Sequence, residues 1–206
     1  MNLLFFDLET TGLPLKNGNQ YLDPKISKYY KTSRIIEIAW IIIEIKEDNE
    51  SINKPIHILT KKSFLIYPKD FVITNTIIHG IDMENVLTNG LFMENVLKEF
   101  EKDLDLFNIN KIISHNIEFD YNILLSECYN NNSKSLIDKL NSIKKRCSMY
   151  EGRKKMNVSK FPKLTELYNY LFNEDIQQKH RALNDTELCM KCYLKLYDYD
   201  YDYDYS

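Results

Sequence analysis

The sequence predicts an α/β fold, one sheet with helices packed on it. Three observations carry that expectation. The chain opens on short apolar runs rich in β-branched residues, its second half shows apolar residues at helical spacing, and strands come first with strands and helices mixed after. A length of 206 residues suits one domain of ordinary size with a full core. Residues 1–197 are expected to form that domain. Residues 198–206 alternate Asp and Tyr and are expected to be a disordered acidic tail.

Leu3 to Glu9 reads as a buried first strand. After Gly12 and Pro14, the polar stretch Lys16 to Lys31 reads as a long loop. Arg34 to Ile45, rich in isoleucine, is a central strand, and Lys46 to Lys54 is a charged turn. Pro55 to Pro68 holds another strand, and Ile77 to Ile81 is a short helical turn. Val96, Leu97, Phe100, Leu104 and Phe107 make Glu94 to Phe107 an amphipathic helix. Lys111 to Ser114 is a short buried strand leading into a helix from about Phe119 to Tyr129. Leu164 to Phe172 and Leu183 to Tyr197 are the last two helices.

Composition excludes several classes. Hydrophobic content of 44% and charged content of 28% describe a soluble globular protein. Leu3 to Phe6 is too short for a signal peptide, and Glu37 and Glu44 interrupt the longest apolar run, so an intracellular protein is expected. Cys128, Cys147, Cys189 and Cys192 do not suggest a disulfide framework, and Cys189 and Cys192 sit in a helical pattern. A net charge of −3 does not announce a nucleic-acid binder. The one basic stretch, Lys144 to Arg146 and then Arg153 to Lys155, reads equally as a solvated loop or a phosphate contact.

The chemistry lies in four acids and one histidine. Asp7 and Glu9 are two apart on a strand, so both leave one face while Phe6 and Leu8 point into packing. Asp120 stands at the start of a helix that follows a short strand, the crevice where α/β sheets bind ligands. His180 and Asp185 are five apart, about 140° around a helix at roughly 100° per residue. His180 is therefore expected on the loop before the last helix and Asp185 within it. Converging carboxylates repel unless cations lie between them, and an oxygen-only set suits Mg²⁺ or Mn²⁺. A histidine beside them can take a proton from water near neutral pH. This set reads as metal-assisted hydrolysis of a phosphate ester.

At these residues the chain resembles the DnaQ-like 3′–5′ exonucleases of the DEDDh class. The first motif stands as Asp7, Glu9, Thr10, Thr11, Gly12 and Leu13, the second as His115, Asn116, Phe119 and Asp120, the third as His180 and Asp185. Arg34-Ile35-Ile36-Glu37-Ile38-Ala39 and Ile78-His79-Gly80-Ile81 match as well, in family order. The resemblance runs from about Leu3 to Leu196. It implies an RNase H-like fold with a central mixed five-stranded sheet flanked by helices.

It also implies a two-metal site of Mg²⁺, with Mn²⁺ able to substitute, held by Asp7, Glu9, Asp120 and Asp185, with His180 as base. The backbone at Thr10 and Thr11 would hold the terminal nucleotide, with Leu13 wedged against its base. Asn116 can hold sugar or phosphate, Phe119 can stack on a base, His79 would line the mouth of the site, and His115 reads as structural. The products would be nucleoside 5′-monophosphates released from a 3′ end. DNA is the first reading of the substrate, in proofreading or repair, with a DNA polymerase or replication partner. The alternatives are an exoribonuclease trimming RNA ends and a non-catalytic nucleic-acid-binding module. The Lys16 to Lys31 segment interleaves Lys16, Lys25, Lys28 and Lys31 with Tyr21, Tyr29 and Tyr30. It either follows a bound strand or covers the sheet edge.

Overall fold

A computed structural model describes residues 1–46, 55–73 and 76–199. The expected charged turn at 46–54 lies almost wholly outside the described residues, as do residues 200–206 of the acidic tail. The first strand, β1, spans Asn2–Thr10. A short hairpin, β2 (Lys16–Asn17) and β3 (Gln20–Tyr21), and a 3-10 turn over Ser27–Tyr29 then lie within the expected long loop. Strands β4 (Ile35–Ile45) and β5 (Ile56–Leu65) follow. Next come helices α1 (Thr76–His79), α2 (Met83–Asn89) and α3 (Met93–Phe107), then β6 (Lys111–Ser114) and α4 (Ile117–Asn130). Helix α5 (Lys134–Ser142), strand β7 (Lys144–Cys147) and helix α6 (Ser148–Met156) precede α7 (Leu164–Phe172) and α8 (Ala182–Leu196).

The main sheet is five-stranded, in the order β5-β4-β1-β6-β7. β4 runs antiparallel to β1 and to β5, while β6 is parallel to β1 and β7 is parallel to β6. The sheet is therefore mixed, as expected. Its fifth strand is Lys144–Cys147, inside the basic stretch, which is an edge strand and a helix rather than a loop. Its three basic residues hid the strand because an edge strand with one wet face carries no apolar run.

Alternation along β1 sorts the core into two layers. Leu4, Phe6 and Leu8 pack with Trp40, Val96, Phe100 and Leu124 under α3 and α4, whereas Leu3 and Phe5 pack with Ile41, Leu167, Cys192 and Tyr193 under α7 and α8. Trp40 is fully buried, and its indole N–H donates to Asp103 at 2.8 Å. Asp103 also takes Lys62 at 2.7 Å, which keeps a buried carboxylate paired. Asp7 and Glu9 continue the odd-numbered series of β1, so they emerge on the α8 side as the apolar run ends.

Candidate active site

The site forms where β1 outruns its parallel neighbour. The ladder between β1 and β6 extends to Phe5↔Ile113, while β4 accompanies β1 as far as Thr10. Asp7 to Thr10 thus border a cleft beyond the carboxyl ends of β1 and β6, the place where open α/β sheets bind ligands. Asp120 enters from the first turn of α4. Its carboxylate accepts the Ser114 hydroxyl at 2.5 Å and the backbone N–H of Leu8, which ties α4 to both strands. Asp185 is buried in the first turn of α8, and His180 lies in the preceding loop with φ 46°.

Burial and mutual repulsion act on all four acids. Burial, then Asp120, Asp185 and Glu9, hold the Asp7 carboxyl well above its ordinary value. Burial first, then Asp185, Glu37 and Asp120, push Glu9 up to about 8. Burial pushes Asp120 up to about 7 against the pull of the Ser114 hydroxyl and the Leu8 N–H. Asp185 is also raised by burial, opposed by a hydrogen bond from the Gln178 amide at 2.6 Å and by His180. Like charges gathered in a partly dry cleft make protonation favourable, and a bound cation reverses that preference. Ligand atoms of Glu9, His180 and Asp185 lie within 4.8 Å of one another, so the donor set fits a divalent metal.

Around this centre, the turn after β1 is held from within. Thr11 is buried; its N–H donates to the Arg34 carbonyl at 2.9 Å, and its hydroxyl donates to the Thr32 carbonyl at 3.0 Å. Thr10 donates its hydroxyl to the Gly12 carbonyl at 2.8 Å. A Cβ on Gly12 would meet the Thr32 carbonyl at 2.8 Å, so the close approach that needs glycine here is to the protein's own backbone. Leu13, by contrast, is 73% exposed, an aliphatic side chain left at the mouth. An open groove of about 610 Å³ runs beside it, lined by Thr11, Gly12, Lys31, Arg34 and Val72 among others.

Phe119 is half-buried beside Asp120, and Asn116 caps α4 in the left-handed conformation with φ 71°. His79 is buried, and its Nδ1 accepts the Ile81 N–H at 3.1 Å, which shapes the turn at Gly80. Tyr30 is 1% exposed, and its hydroxyl donates to the Leu22 carbonyl at 2.6 Å. Tyr29 packs against the same core, so these two rings of the segment are used in packing beside α4. Tyr21 alone of the three sits against Phe119, with ring centres 6.5 Å apart.

One pair was missed from sequence. Glu37 stands directly across from Glu9 on β4 and is 2% exposed. Two facing carboxylates repel, and Arg181 compensates: its Nη2 and Nε reach the Glu37 oxygens at 2.7 and 3.0 Å. Glu37 also accepts the Ala182 N–H at 2.9 Å, capping α8 from another element. The clamp grips the residues on the C-terminal side of His180. An acid in the middle of an isoleucine run was the signal, because buried charges persist only when paired.

A family model described as Exonuclease (RNase T) matches residues 4–193. The chain belongs to that family. No curated protein matches it in sequence. Among solved structures, Exonuclease I of E. coli in complex with a 5cy-dT13 oligonucleotide matches with TM-score 0.63 at 17% identity, over 96% of this chain and 42% of the other. Pop2p of S. pombe, in a Mg²⁺- and Mn²⁺-bound form, matches with TM-score 0.64 at 15% identity, over 97% and 86%. A 3′-exonuclease that recognises the histone mRNA stem-loop matches with TM-score 0.61 at 14% identity, over 96% and 64%. This chain thus spans less than half of Exonuclease I, and at these identities the likenesses show a shared RNase H-like exonuclease fold. Among the described residues, no helix is long and apolar enough to cross a membrane.

Proposed function

We propose that this member of the exonuclease family is a metal-dependent 3′–5′ exonuclease that hydrolyses phosphodiesters one at a time into nucleoside 5′-monophosphates. The observation that carries the reading is the meeting of four carboxyls, from β1, α4 and α8, with His180 at their edge. Asp7, Glu9, Asp120 and Asp185 would hold two divalent ions, Mg²⁺ or in its place Mn²⁺. Such ions supply charge neutralisation at the phosphate and lower the pKa of a bound water.

This chain's own residues do the rest. His180, whose ring nitrogen lies within 4.8 Å of carboxylate oxygens of Glu9 and Asp185, takes the proton of the attacking water. Glu9 orients the terminal 3′ hydroxyl. The Thr10 to Leu13 turn, stiffened by its bonds to Thr32 and Arg34, presents backbone and the exposed Leu13 to the last base. Phe119, beside Asp120, offers a ring for stacking, while Asn116 and the turn held by His79 border the sugar and phosphate. The substrate we assign is DNA, in proofreading or repair, where a DNA polymerase or another replication protein is the natural partner. The test is digestion of end-labelled single-stranded DNA, duplex DNA and RNA with Mg²⁺ and with Mn²⁺. Preferred loss of RNA ends would move the assignment to an exoribonuclease, and no hydrolysis of any of them would sink it.

A further inference from the structure

Outside the acid cluster, several aromatic rings stand partly exposed beside cationic side chains. On one side, Tyr21 lies against Phe119, and the Lys16 ammonium sits 4.0 Å from the centre of the Tyr21 ring. On the other, Tyr150 of α6 meets Phe161 edge-on at 5.1 Å, and the Arg153 guanidinium lies 4.6 Å from the Phe161 ring. Tyr150 is 38% exposed and Phe161 41%. Both halves meet the start of α4, the first through Phe119 and the second through His115 just before it. An open cavity of about 560 Å³ borders Tyr150, Arg153, Lys154 and Val158.

The second half is registered to the catalytic elements through His115. Its Nε2 is 3.0 Å from the Pro162 carbonyl and its Nδ1 2.9 Å from the Ser148 hydroxyl. A carbonyl only accepts, so Nε2 carries the proton and Nδ1 accepts from Ser148. Burial lowers the His115 pKa to about 4, which keeps the ring neutral and the arrangement intact near pH 7. The histidine of the second motif therefore positions the neighbours of both Phe161 and Tyr150 relative to the start of α4, where Phe119 and Asp120 stand.

We propose that Lys16, Tyr21, Tyr150, Arg153 and Phe161 form a track for the nucleotides next to the terminal one on an unpaired strand. This rests on the exonuclease reading above. Rings offer stacking faces to unpaired bases, and the flanking cations meet the phosphates; single-strand binding surfaces combine these two parts. Arg153, Lys154 and Lys155, close together in the last turn of α6, supply the positive charge in a protein whose net charge is −3. A duplex would offer the phosphates but keep its bases from the rings, so the track selects for single strands.

The test compares steady-state cleavage of a strand of about twelve nucleotides with cleavage of the nitrophenyl ester of thymidine monophosphate. The strand has whichever backbone the unaltered protein cleaves. In the double variant Tyr150→Ala, Phe161→Ala, KM for the long strand should rise roughly tenfold for each ring removed, with the ester unaffected. Lys154→Gln with Lys155→Gln, both exposed on the last turn of α6, should leave the melting temperature alone. It should flatten the salt dependence of long-strand binding, measured by fluorescence anisotropy with the metal chelated. Unchanged KM and salt slope would overturn the track, and so would equal losses on long strand and ester. Failure of the unaltered protein on every substrate would overturn the exonuclease reading instead. The anisotropy series would then decide the track alone, binding that grows with strand length and needs the rings supporting it and length-independent binding refuting it.

Discussion

At the scale of single residues, Asp185 and His180 are the sharpest tests of the site. Asp185 is buried against other acids, and its carboxylate accepts the Gln178 amide at 2.6 Å. Asp185→Asn should reduce hydrolysis to background while the metal-free protein melts at the same or a higher temperature, because one repelling charge is gone. Retained turnover with unchanged melting would refute its role as a ligand. His180→Ala should lower turnover by roughly 10²–10⁴ and leave affinity nearly unchanged, the usual effect of losing a positioned base. Lost binding with an unaltered bound-state rate would make His180 a substrate contact. Both residues were legible in sequence because acids and histidine at motif spacing announce a chemistry. Gln178 was not, since a lone glutamine in a polar loop carries no pattern.

At the scale of elements, the start of α8 is the part most exposed to perturbation. Its first N–H and the Arg181 side chain both converge on Glu37 of β4. Glu37→Gln would keep an acceptor for Ala182 but weaken the hold on Arg181. A hydrogen bond to a charged group contributes about 1.5–3 kcal/mol, and relief of the Glu9–Glu37 repulsion offsets part of that. We expect a loss of about 1–2 kcal/mol in denaturant unfolding and a fall in kcat with a displaced pH profile, as His180 loses its fixed neighbour. An altered stability with kcat and pH profile untouched would make the clamp structural only. Element reading from sequence succeeded for β1, β4 and α3, whose apolar periodicity is long and regular. It failed for β7 and α6, where basic residues mask a strand that is buried only through Cys147 and a helix packed mainly by Ser148 and Gly152.

For the whole molecule, the acid cluster ties stability to pH and to metal. Glu9 is held at about 8 and Asp120 at about 7, above ordinary carboxyl values near 4. The metal-free folded protein therefore keeps protons that the unfolded chain releases. Stability from this source is full below about pH 4 and is lost as the pH rises through about 7 to 8. Tm without metal should fall across that window, and a flat or rising curve would contradict the convergence of the acids. Saturating Mg²⁺ or Mn²⁺ should remove the slope and raise Tm near pH 8. At a hundredfold excess over Kd the gain is about 2.7 kcal/mol, or roughly 5–10 °C for a domain of this size.

The two-residue period of β1 is local, so the sequence by itself determined that Asp7 and Glu9 would share a face and that Phe6 and Leu8 would not. It likewise determined the helical stripe of α3, the loop position of His180 and the class of chemistry that four acids and a histidine support. Only the tertiary structure decided that Glu37 would face Glu9 across a strand pair and need Arg181, 144 positions away, to balance it. It also decided that His115 would bind the Ser148 and Pro162 segments together and that Tyr30 would turn inward while Tyr21 met Phe119. The reason is range. Periodicity and capping act between neighbours in the chain, whereas the pairing of a buried charge depends on register between strands and on which helix packs over them.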